Sequence, residues 1–116
     1  MSDKEPRESV VTLASMERAL IYLAETDDEC ARLRSDHARA EFAAKSIRNV
    51  IFKACNGTIA ERNAEADTSE TYKDAKEREF DYFFKYEAMK NKRSTKIIII
   101  DSWRSVNAAR NKGQII

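Results

Sequence analysis

Glycine occurs only twice and proline once in this 116-residue chain. So marked a shortage of turn-forming residues leaves long uninterrupted stretches, and these suit helices. The two glycines are Gly57 and Gly113. Neither the G-x-x-x-x-G-K-[ST] nor the G-x-G-x-x-G phosphate loop is therefore present. There is one histidine, His37, so no histidine cluster can form within a chain. Cys30 and Cys55 have no close Cys or His partner at zinc-ligand spacing. On one continuous helix they stand roughly 37 Å apart at 1.5 Å per residue, too far for a disulfide. Reduced thiols, and with them a cytoplasmic location, are the simplest expectation. The opening MSDKEPRESV lacks an apolar core of the secretory kind. The longest apolar run, Ile97–Ile100, is far too short to span a bilayer.

The residues that are plentiful point the same way. Charged residues make up 35% of the chain, in mixed sign, and hydrophobic residues 42%. That hydrophobic content argues against disorder. Charge is unevenly divided. Residues 1–70 carry 10 Lys/Arg against 14 Asp/Glu, and residues 71–116 carry 11 against 6. A basic half within a near-neutral chain hints at a polyanionic partner.

The pattern predicts a polar, flexible N-terminal arm at 1–9 and a single helical hairpin domain at 10–116. A helix opens near Ser9 or Thr12 and continues to Asn56-Gly57, where either residue tolerates the left-handed conformation that ends a helix. Its apolar positions (Met16, Leu20, Leu23, Cys30, Leu33, Ala40, Ala44, Ile47, Ile51) recur every three or four residues. The polar interval 25–29 shifts their phase and reads as a stammer-like offset or local bend, not a domain boundary. Thr58-Ile59-Ala60-Glu61 has the form of a capping box and starts a short helix over 58–66. Asp67-Thr68-Ser69-Glu70 caps a last helix that runs to about Asn111. The predicted architecture is all-α: a long, coiled-coil-like antiparallel hairpin with a short middle helix.

Ile97–Ile100 can be read two ways. Four β-branched residues favour a strand by propensity, but no second strand is in view and the flanks are helical. As a helix, four isoleucines cover every face, and a two-helix hairpin cannot bury all of them. Ile97, Ile98, Ile99, Ile100 and Trp103 are thus the expected subunit interface of a homo-oligomer. Cover from a third segment of the same chain is the alternative.

No catalytic constellation can be assembled, so no enzyme, metal or cofactor is expected. The acidic run Glu25, Asp27, Asp28, Glu29 points in several directions around a helix and reads as a solvated face. His37 sits on the apolar stripe as a packed or surface residue. The basic stretches Arg32–Lys53 and Lys85–Lys96 are expected to run alongside each other and give one end of the hairpin a positive potential suited to phosphates. Tyr82, Phe84 and Tyr86 lie among these charges and could stack bases if exposed, although aromatics at helical spacing are more often core.

The order of features resembles the UvsY-type recombination mediators of tailed phages. The resemblance spans most of residues 10–113. It rests on the apolar opening Ala19–Leu23, the basic-apolar close Ile47–Cys55 before Asn56-Gly57, the helix start Ser69-Glu70-Thr71-Tyr72, the apolar-aromatic segment Ile97–Trp103 and the tail Lys112-Gly113. It implies an oligomeric ring without catalytic activity. It also implies partnership with single-stranded DNA, a RecA-like recombinase and single-strand binding protein in the host cytoplasm. Arg48 and Lys53 fall in the region of that family's DNA contacts, at different offsets from the glycine stop. Lys45, Lys90, Lys92 and Arg93 join them as DNA-binding candidates on charge alone. A helical phage interaction or scaffolding protein without DNA affinity is the other functional reading.

Overall fold

A computed structural model describes residues 11–113 of the chain. The expected flexible arm at 1–9 lies outside the described residues. Three helices follow one another: α1 (Leu13–Ala54), α2 (Ile59–Thr68) and α3 (Glu70–Asn111). Among the described residues there is no strand, and the long pair α1 and α3 with α2 between them forms an all-α hairpin. Ile97–Ile100 are helical, so helix prevails over β-propensity there.

The three helix starts and the end of α1 have local causes. At the start of α1, the Ser15 amide donates to Thr12 Oγ1 at 3.1 Å and the Thr12 amide donates to Ser15 Oγ at 2.9 Å. This reciprocal arrangement satisfies amides that have no partner within the helix. Past the end of α1, Gly57 adopts φ +113°. A Cβ at this position would lie 2.5 Å from Glu61 Oε1. That oxygen is in use, because the Thr58 amide donates to it at 2.9 Å while the Glu61 amide donates to Thr58 Oγ1 at 3.1 Å. The predicted capping box is therefore present, and it needs glycine beside it for space as well as for φ. Ser69 stands between α2 and α3. Its Oγ accepts from the Tyr72 amide at 3.4 Å, which marks the start of α3.

Packing divides the chain into two compact units that part at Asp27/Asp28 and at Lys90/Asn91. Both long helices run through these points unbroken. The polar interval 25–29 was expected to offset the pattern without being a boundary. It leaves the helix intact, but the packing changes hands there, because this stretch offers no large apolar side chain to bury.

In the unit made of Asp28–Lys90, the buried apolar residues are Ala40, Ala44, Ala66 and Ala75. Small side chains at these positions allow helices to approach closely. Arg48 ties α1 to α2 by donating from Nε to Asp67 Oδ1 at 2.7 Å and from Nη2 to Asn63 Oδ1 at 3.1 Å. Arg62 reaches back from α2, donating to the Phe52 carbonyl at 3.2 Å with its guanidinium 4.3 Å from the Phe52 ring centre.

In the other unit, Ala19 and Ile100 are the buried apolar residues. Arg93 of α3 donates from Nη1 to the Leu23 carbonyl at 2.9 Å and to Thr26 Oγ1 at 2.6 Å. Its Nη2 pairs with Asp27. The Thr26 hydroxyl in turn donates to the Tyr22 carbonyl at 2.8 Å.

Candidate nucleic-acid interface

The six expected DNA-binding residues separate into two groups. Arg48 and Arg93 are held within the chain by the contacts above, and both are half-buried. The Asp67 carboxylate, hydrogen-bonded to Arg48, is held below the usual carboxylate range, and Arg48 is raised in return. Their charges are matched locally, which removes them from the basic surface expected of them. Lys45, Lys53, Lys90 and Lys92 are exposed. Lys90 lies 3.6 Å from Glu87 and 5.6 Å from the centre of the Tyr86 ring.

These contacts also correct the expected register of the basic stretches. Residues 32–53 and 85–96 were expected to lie alongside each other. Instead, Arg93 meets Leu23, Thr26 and Asp27, while Arg48 meets Asn63 and Asp67. Antiparallel pairing around α2 sets His37 against Phe83, with ring centres 5.3 Å apart. Arg48 and Arg93 thus each face acidic or neutral groups of another helix. His37 is a packed histidine.

The exposed lysines on α1 form part of a pattern. Phe42, Lys45, Asn49 and Lys53 are three, four and four residues apart, a spacing that keeps them on one helical face. All four are exposed, and Phe42 is 72% exposed. The face opposite carries the buried Ala40 and Ala44. An aromatic ring and two ammonium groups therefore line one solvent-facing stripe, with an amide between the lysines. Sequence reasoning selected Lys45 and Lys53 but passed over Phe42. Its phase, halfway around the helix from the alanine seam, was the available signal.

The other aromatics are partly engaged. Tyr82 and Tyr86 are half-buried, each with a lysine near its ring: Lys85 at 5.6 Å and Lys90 at 5.6 Å. Phe84 is 72% exposed, and Phe80 and Phe83 are also exposed. Comparison with family models, curated proteins and solved structures finds no match to this chain.

The expected subunit interface is also divided. Ile97 and Ile98 are exposed, Ile99 and Trp103 are half-buried, and Ile100 is buried within its own unit. Ile100 therefore faces inward and is already covered. Among the described residues, no third segment of the chain covers Ile97 and Ile98.

Among the described residues, no group of three or more His, Cys, Asp or Glu side chains is placed to hold a metal ion. No helix among them is long and apolar enough to cross a membrane. The Cys55 thiol is pushed up, first by burial and then by its hydrogen bond with Glu65, which lowers its thiolate content and its reactivity. Glu79 is the buried charged residue, and Lys76 pairs with it at 3.0 Å.

Proposed function

We propose that this chain is a non-enzymatic, single-stranded-DNA-binding recombination mediator that helps load a RecA-like recombinase during phage DNA recombination and repair. The observation that carries the DNA-binding part is the stripe Phe42–Lys45–Asn49–Lys53. Lysines at helical spacing offset backbone phosphates through counterion release. An exposed ring beside them provides a platform on which any base can stack. Neither contact reads sequence, as befits a protein that must bind whatever strand is exposed. Assembly of several copies through Ile97 and Ile98 would place several stripes on one strand, and multivalency would then raise affinity. The recombinase and single-strand binding protein come from the resemblance to UvsY-type mediators.

A second reading, a helical phage interaction or scaffolding protein without DNA affinity, is favoured by the intrachain pairing of Arg48 and Arg93. Anisotropy of labelled poly-dT titrated with protein at two salt concentrations separates the readings. The mediator reading expects binding that weakens as salt rises. It also expects Phe42→Ala to cost about 5- to 150-fold in affinity, the range for losing one stacked base. The Lys45→Ala/Lys53→Ala double variant should flatten the salt dependence, with the oligomeric mass unchanged. Absence of binding by the wild-type protein at micromolar concentration in low salt would leave the interaction module.

A further inference from the structure

Asp36, Arg39, Ala40, Arg78 and Tyr82 line an open groove of about 250 Å³ where α1 and α3 meet. The groove lies wholly within the Asp28–Lys90 unit. Arg39 of α1 and Arg78 of α3 line it from different helices, with the acidic Asp36 beside them. Arg39 and Arg78 are exposed, whereas Tyr82 is half-buried and supports one wall. Lys85 lies 5.6 Å from the centre of the Tyr82 ring and adds a further positive charge nearby.

We propose that this groove is a backbone-phosphate subsite for single-stranded DNA, with Arg39 and Arg78 gripping one phosphate from two sides. The inference rests on the mediator reading and extends it to residues outside the Phe42 stripe. Guanidinium groups present planar donor forks that match phosphate oxygens, and charge-assisted bonds of this kind are about twice as strong as neutral ones. The groove is open to solvent rather than enclosed, unlike the pockets that bury most of a free small molecule. An open groove of this size suits one group of a longer chain. Arg39 precedes Phe42 by three residues and so adjoins the exposed stripe. A strand held at Arg39 and Arg78 continues directly onto Phe42, Lys45 and Lys53. Asp36 opposes the phosphate and keeps this subsite moderate in strength, as suits a strand that must be handed on.

The test uses the full chain and labelled poly-dT. Arg39→Ala/Arg78→Ala should weaken binding about tenfold or more, given the strength of hydrogen bonds to charged groups. It should also lower the slope of log affinity against log salt by about 0.7 for each phosphate no longer neutralised. Arg18→Ala/Arg110→Ala removes the same net charge elsewhere and should change affinity much less. Arg39→Lys/Arg78→Lys keeps the charge but lacks the fork, and should recover only part of the loss. Asp36→Asn should tighten binding several-fold. Circular dichroism establishes that each variant retains its helices. If the groove and control variants lose affinity equally, net charge explains the result and the subsite is overturned while the mediator reading stands. If the wild-type protein does not bind poly-dT, the mediator reading fails and the subsite fails with it.

Discussion

The two units of this hairpin expose different kinds of apolar residue. In the unit made of the described residues up to Asp27 and from Asn91 onward, the exposed large hydrophobics are Leu13, Leu20, Ile21, Ile97 and Ile98, all aliphatic. In the Asp28–Lys90 unit they are Phe42, Val50, Ile59, Phe80, Phe83 and Phe84, four of them aromatic. Cations lie near several aromatic rings in the second unit, including Lys76 at 5.1 Å from Phe80. Aliphatic side chains gain by leaving water and little else, so an exposed aliphatic surface is best completed by another apolar surface. Rings among lysines have a second use, because a nucleic acid offers both stacked bases and phosphates. Under the proposed function, self-assembly falls to one unit and strand binding to the other.

The largest effect should come from disabling the aliphatic surface. Ile97→Asp/Ile98→Asp is expected to reduce the assembly to single chains in light scattering. Poly-dT affinity should then drop by a factor of about 10²–10⁴ as multivalency is lost. An unchanged mass would remove assembly from this unit. Stability measurements probe the aromatic unit. Ala44 is 1% exposed in the alanine seam. Ala44→Leu overpacks it and should cost about 1–3 kcal/mol in denaturant unfolding. A neutral result would mean that the seam is loosely packed.

A smaller effect is expected at the helix cap of α2. Thr58→Ala removes one half of the capping box and should cost about 0.5–2 kcal/mol, read as a lower unfolding midpoint. The smallest concerns pH. Arg48 lowers the Asp67 pKa in the folded chain. A carboxylate depressed on folding adds stability above its ordinary pKa, and that stability is lost as pH falls through the depressed value. Both partners are accessible to solvent, so the contribution is modest. Unfolding of the wild-type protein should become more pH-sensitive below about pH 4, and Arg48→Met should flatten that dependence. Parallel pH profiles for the two proteins would show that the pair contributes nothing.

Much of the helix framework was legible in the chain itself. Thr12 as a start, Gly57 as a stop, the box from Thr58 to Glu61 and the break before Glu70 each depend on residues within a few positions of one another. The middle helix ends two residues later than its pattern suggested, at Thr68. The candidate site was only partly legible. Lys45 and Lys53 are exposed as expected, while Arg48 and Arg93 turn inward and Ile100 is covered. Charge and hydropathy give a residue's chemistry but not its neighbour, so a paired arginine and a free one look alike in sequence.

Caps, glycine and apolar periodicity act over a few residues. They were therefore enough to set where the helices begin and end to within about two residues, and to require that two long ones pack together. Which residues meet was settled only by the packing itself. Arg93 lies 66 residues from Asp27 and 70 from Leu23, and Arg48 lies 19 from Asp67. Such pairs depend on the register set by α2 and the alanine seam, a property of the packed hairpin that no local pattern encodes.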